Sequence, residues 1–322
     1  MKRLHTWLRA LGIALLVLLA AEQVAAPRLR PSPRIFEEHP TRFWTLTPGV
    51  SCYDRQSAST VRVNHLGLRG GEPDLSGPRM LLLGDSCIFG AGVTDAETLD
   101  RCLEAELRTR TGRPWVVLNG GVPGYSTFQG VDLLEDLGPE IRADVVVLAY
   151  LYGDRRWDRC PDHERQAGPL VPAVRRLLWK SALYRVLRDG WLGTRPEVGP
   201  LEDGPRSGNL YERVPPVQYR KNMERLAERA RAFGASRVVF LRLPNRGPRD
   251  GRSEGQEAVL LRMGLASGGL VDALGRWERV GLLHPHEFLP GDLLHLSARG
   301  NRHLARTLAD EFEARAMLPD RP

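Results

Sequence analysis

Lysine is almost missing from this 322-residue chain: only Lys2, Lys180 and Lys221 occur, so the formal charge of +7 is carried by arginine. The arginines are interspersed with acidic residues rather than gathered in blocks, and no nucleic-acid-reading motif accompanies them. Nucleic acid is therefore not an expected partner. Cysteine is also scarce. Cys52, Cys87, Cys102 and Cys160 fall at irregular intervals that match no metal-ligand spacing, so no metal and no other cofactor is expected. In an oxidising compartment the four could form disulfides, but their connectivity is not readable from sequence. No internal repeat is apparent, which sets aside repeat architectures.

Long apolar runs are absent as well, with one near-exception at the N-terminus. Lys2, Arg3, His5 and Arg9 precede an uncharged stretch from Ala10 to Ala21, and Glu22 ends it. A basic start followed by an apolar core of this length matches a secretory signal. The stretch falls short of the roughly 20 residues that span a bilayer, although Trp7, Leu8 and Val24-Ala25-Ala26 bring it close. Pro27 disfavours cleavage after Ala26 and Leu19 is bulky for cleavage after Ala21, which favours an uncleaved membrane anchor over a signal peptide. Residues 1–33 are read as this leader and a Pro/Arg-rich linker. Both readings place the body outside the cytoplasm, periplasmic or secreted, with the membrane as a partner of the N-terminal segment.

What remains is ordinary globular composition, 42% hydrophobic and 26% charged, in a chain long enough to bury a full core. Residues 34–78 read as an irregular N-terminal extension in which Val63 to Gly70 forms a compact, turn-rich unit able to pack on the main domain. From residue 79 to about 318 the pattern changes. Short β-branched or leucine-rich runs (Met80–Leu83, Trp115–Leu118, Asp144–Leu151, Arg237–Leu243, Gly269–Asp272) alternate with amphipathic segments. Those segments are Ala96–Thr111, Ser126–Leu137, Tyr219–Phe233, Gln256–Met263 and Ala298–Ala314. Alternation of this kind predicts an α/β sandwich with a buried parallel sheet and crossover helices. Residues 160–216 break the rhythm and read as an insertion, helical first and loop-like from Gly193 to Gly208.

The run Met80-Leu81-Leu82-Leu83 launches Gly84-Asp85-Ser86-Cys87, which sets a small hydroxyl at the mouth of a strand. There Ser86 faces the cleft beyond the carboxyl edge of the sheet; alternatively Asp85 and Ser86 only cap the next helix. Far downstream, Asp292-Leu293-Leu294-His295 supplies a carboxylate and an imidazole from one loop. That spacing lets Asp292 hold one tautomer of His295 while the other ring nitrogen faces Ser86. His284 and His286 lack an aspartate at this spacing. Between these ends, Asn119 to Ser126 closes the second strand with a glycine-dense turn, where a backbone N–H can approach a substrate oxygen unobstructed. Gly124 is the candidate second oxyanion donor and the amide of Ser86 the first. Cys87 is read as a small packing residue.

Taken together, Leu82 to Gly90, the turn Asn119–Gly124 and Asp292 to Asn301 resemble the SGNH (GDSL-type) hydrolases, a family of esterases and carbohydrate acyl hydrolases. The similarity runs from about Asn64 to Phe312. It implies a flavodoxin-like sheet of about five parallel strands in a three-layer sandwich. It also implies Ser86 as nucleophile, Gly124 as the second-block glycine, and Asp292 and His295 as the remaining triad members. One block departs from the family: Leu151-Tyr152-Gly153-Asp154 puts glycine where an asparagine oxyanion donor is usual. Losing one such donor typically lowers the rate about 100- to 1000-fold. Arg155 or Asn245 are possible substitutes, and Gly153→Asn is expected to raise activity if the missing donor limits turnover.

The resemblance implies removal of acyl groups, acetyl first, from a carbohydrate or small ester outside the cytoplasm. Transfer of the acyl group to a sugar of an envelope polysaccharide is a related outcome. A weakened glycan-binding or assembly protein is a reading of a different class, motivated by Gly153. The aromatics Trp157, Trp179, Tyr184 and Trp191 in or beside the insertion are candidates to line a sugar or acyl site, though such residues more often serve as core or cap.

Overall fold

The computed structural model describes residues 2–26, 34–55, 57–165, 174, 177–192, 210–247 and 254–319. Helix α1 (Lys2–Ala25) comes first. Two antiparallel hairpins follow, β1 (Phe36–His39) with β2 (Phe43–Leu46) and β3 (Ser51–Asp54) with β4 (Ser59–Arg62). The extension over 34–78 is thus not irregular as expected. Strands of four residues are too short to leave a legible period in the sequence.

The main domain then winds through β5 (Arg79–Gly84), α2 (Ser86–Phe89), α3 (Leu99–Thr111), β6 (Val116–Gly121), α4 (Thr127–Ile141), β7 (Val145–Ala149) and α5 (Tyr152–Arg155). Within and around the insertion lie β8 (Trp157–Asp158), α6 (Asp162–Arg165), α7 (Ala182–Leu192) and β9 (Tyr211–Glu212), with β8 and β9 pairing antiparallel to close its neck. The expected loop-like half, Gly193 to Gly208, lies outside the described residues. The domain closes with α8 (Pro216–Ala232), β10 (Arg237–Arg242), α9 (Glu254–Ala266), β11 (Leu270–Asp272), α10 (Ala273–Arg279) and α11 (Ala298–Ala314).

Five strands form one sheet in the order β11-β10-β7-β5-β6, and every pair is parallel. This is the flavodoxin-like order, with the first strand inside and the second at the edge. Because successive side chains point to opposite faces, each strand feeds two cores. Leu81 and Leu83 pack with Leu134 of α4 and Met223 of α8, whereas Met80 and Leu82 pack with Leu103 of α3 and Leu308 of α11. The result is a three-layer sandwich. Trp44, Leu46 and Val61 of the hairpins, with Val63 just beyond them, join the first core, so the extension is part of the domain.

Among the described residues no helix is long and apolar enough to cross a membrane, so the expected anchor gains no support. The physical reason is the short uncharged stretch, bounded by Arg9 and Glu22. Glu22 instead engages the start of α7: it accepts from the Ser181 hydroxyl at 2.7 Å, the Leu183 amide at 3.0 Å and the Ala182 amide.

Candidate active site

The turn from β5 into α2 is built by close contact. Gly84 pairs in register with Gly121 of β6 and Ala149 of β7. A Cβ on Gly121 would stand 2.1 Å from the Phe89 nitrogen, so only glycine lets the edge strand pass this close to α2. Asp85 caps α2, its buried carboxylate accepting from the Cys87 amide at 2.9 Å. Burial pushes the Asp85 carboxyl up, against the opposing pull of that amide. The cap reading of Asp85 therefore holds, and Ser86 is the first residue of the helix it caps.

Ser86 meets its distant partners directly. Its hydroxyl lies 2.8 Å from His295 Nε2, and His295 Nδ1 lies 2.7 Å from Asp292 Oδ2. The other Asp292 oxygen accepts from the Leu294 amide at 2.7 Å and the His295 amide at 3.0 Å. Partial burial raises the Asp292 carboxyl, but these backbone donors and His295 outweigh it, and its pKa ends below the usual value. His284 and His286 are exposed and take no part in this chain of contacts. Cys87 supports the junction, with its thiol 3.8 Å from the Leu294 carbonyl. Burial pushes that thiol well above its ordinary pKa, as befits a packing residue. All four cysteines are free thiols.

The turn after β6 carries the second candidate donor. Gly124 has φ +75°, and its amide has no hydrogen-bond partner among the described residues, nor has that of Ser86. Asn119 braces the turn from below, donating to the Ile88 carbonyl at 2.9 Å and to Asp100 at 2.7 Å while accepting from the Gly121 amide at 3.0 Å.

Gly153 departs from expectation in an informative way. A Cβ there would lie 1.8 Å from the Tyr125 carbonyl oxygen, so the backbone of the preceding turn already fills the space an asparagine would occupy. The expected gain from Gly153→Asn is accordingly withdrawn. The following residue, Asp154, accepts from the Thr127 amide at 2.9 Å and from the Thr127 hydroxyl, and burial pushes its pKa up to about 7. Asn245 sits beside the Tyr152 hydroxyl.

Two open grooves of about 500 and 460 Å³ flank the loop Pro290 to Leu293, and Asp292 lines both. Trp179 and Tyr184, expected near a substrate, stack edge-on at 6.3 Å and line neither groove. Trp157 is exposed, and the side chain of Trp191 lies outside the described residues. The one convergence of metal-type side chains among the described residues is His39, Asp132 and Asp136. There the Arg42 guanidinium already pairs with both carboxylates.

No family model and no curated protein matches the chain. Solved structures do. The lipase/acylhydrolase from Enterococcus faecalis is 19% identical, covering 76% of this chain and 100% of its own, with a TM-score of 0.46. An acetyl xylan esterase is 13% identical over 72% of this chain and 98% of its own, with a TM-score of 0.46. The psychrotrophic esterase EstA from Pseudoalteromonas sp. is 14% identical over 73% and 97%, with a TM-score of 0.44.

Sequence reasoning missed the residues that surround the Asn119–Gly124 turn from outside, Trp44 and Arg213. A tryptophan in an apparently irregular stretch and one arginine among many give no periodic signal.

Proposed function

We propose that this protein is a serine-dependent carboxylic ester hydrolase that works through an acyl-enzyme. The observation that carries the reading is the unbroken line Ser86 hydroxyl, His295 imidazole, Asp292 carboxylate, with contacts of 2.8 and 2.7 Å. Ser86 Oγ attacks the ester carbonyl as His295 Nε2 takes its proton. Asp292 keeps the proton of Nδ1 in place and stabilises the imidazolium. The tetrahedral oxyanion faces the amides of Ser86 and Gly124. On its collapse the ester C–O bond breaks and the alcohol leaves with the proton returned by His295; water, deprotonated by His295 in turn, attacks the acyl-enzyme, frees the acid and restores Ser86.

For the substrate we favour an acyl group, acetyl first, on a carbohydrate outside the cytoplasm. The grooves along the Asp292 loop are open to solvent, which supports an extended acceptor, and the basic-then-apolar N-terminal segment supports export. The test uses the full chain with p-nitrophenyl acetate and acetylated oligosaccharides, beside Ser86→Ala and a serine-directed fluorophosphonate probe. Ser86-dependent turnover and labelling are expected. Equal rates for the two proteins, with no labelling of Ser86, would refute the hydrolase reading. Added sugar acceptors separate hydrolysis from acyl transfer, because transfer yields acylated acceptor in place of free acid.

A further inference from the structure

The two carbonyls that flank the Gly124 amide are each held by a side chain from outside the central α/β unit. Trp44 Nε1, on the second hairpin strand, donates to the Pro123 carbonyl at 3.1 Å. Arg213, at the neck of the insertion, donates to the Gly124 carbonyl at 2.6 Å. Among the described residues no peptide bond is cis, so the Gly124 N–H points opposite to the Pro123 carbonyl, away from Trp44. Fixing that oxygen fixes the direction of the amide.

Both donors are themselves locked. The Tyr125 hydroxyl donates to the Trp44 carbonyl at 2.7 Å, and the two rings meet edge-on at 5.9 Å. The Arg213 guanidinium lies 5.8 Å from the Trp44 ring and is forked onto Asp162 at 3.1 and 2.8 Å, with a further bond to Gln129 at 2.8 Å. Asp162 is fully buried and also accepts from the Ser126 hydroxyl at 2.7 Å. A turn as rich in glycine as Asn119 to Gly124 has little intrinsic resistance to peptide rotation. Its order has to come from such outside contacts.

We infer that Trp44 and Arg213 are positioning residues of the oxyanion hole: they hold the Gly124 amide aimed at the substrate oxygen in a site that has glycine at the asparagine position. The inference rests on the hydrolase reading above. It also gives the N-terminal hairpins and the insertion a shared task, since each sends one donor to the same turn.

The test compares Trp44→Phe, which removes the indole N–H together with the five-membered ring that carries it, and Arg213→Lys with the parent chain on p-nitrophenyl acetate. Each variant is expected to lose roughly 10- to 100-fold in kcat with KM within about twofold. Affinity for an alkylboronic acid that forms a tetrahedral adduct on Ser86 should fall in parallel with kcat in the folded protein, beyond whatever the smaller ring takes from the unfolding midpoint. A purely structural role would lower the midpoint and leave boronate affinity per folded molecule intact. Trp44→Phe with parental kcat and boronate affinity would overturn the inference. Absence of Ser86-dependent turnover in the parent would instead defeat the hydrolase reading. A crystal structure of Trp44→Phe then decides the positioning claim by itself: a rotated Pro123–Gly124 peptide supports it, and an unchanged plane overturns it.

Discussion

Asp292 gives His295 one carboxylate oxygen and reserves the other for the backbone of the same loop, where it accepts from Leu294 and His295. This division of labour predicts the effect of Asp292→Asn. The amide oxygen of asparagine keeps the backbone contacts, which turns its NH₂ toward Nδ1 and leaves the Nε2 nitrogen protonated. Nε2 can then no longer accept from Ser86. We expect kcat to fall about 10⁴-fold with the fold intact, read by ester turnover and circular dichroism.

Replacing Gly153 should harm the protein. With the Tyr125 carbonyl 1.8 Å from where a Cβ would sit, both Gly153→Ala and Gly153→Asn must displace the turn that carries Gly124. We expect a loss of about 1–3 kcal/mol in chemical denaturation, together with lower turnover. A gain in activity for Gly153→Asn would contradict this.

Asp154 should give the stability curve a distinctive slope. Its folded pKa, raised to about 7 by burial, lies above its unfolded value of 3.8, so the folded state holds the proton more tightly in between. The contribution is fully present below the unfolded value and is lost as pH rises through the folded one. Stability should therefore decline between about pH 4 and pH 7 relative to Asp154→Asn, which carries no titrating group there. Denaturant midpoints measured across that window check the sign.

The N-terminal extension should not be removable. Arg69 donates to the carbonyls of Phe89 at 2.8 Å, Gly90 at 2.6 Å and Val93 at 2.6 Å, pinning the chain that leaves α2. Arg69→Met leaves these buried acceptors unpaired, for an expected loss of about 3–5 kcal/mol. A chain shortened to begin at Arg79 would lose Arg69 along with Trp44, Leu46, Val61 and Val63 from one core, and should not yield soluble folded protein.

Much of this architecture was legible beforehand. The five apolar runs from Met80 to Asp272 correspond to the five sheet strands, because strands buried on both faces carry uninterrupted apolar character. Ser86, Asp292 and His295 were legible because strand-end loops expose chemistry at short, readable spacings. The hairpins between Phe36 and Arg62 were not, since four-residue strands with mixed exposure carry no period. Nor was the Gly153 environment. Its constraint comes from Tyr125, whose closeness depends on how two loops nest rather than on any local pattern.

The hold of Glu22 on Ser181, Ala182 and Leu183 ties helix α1 to the first turn of α7. Deleting α1 would therefore strip an acidic cap from a helix more than 150 residues downstream. Chains with and without α1 would differ in how firmly the insertion is anchored, not merely in length.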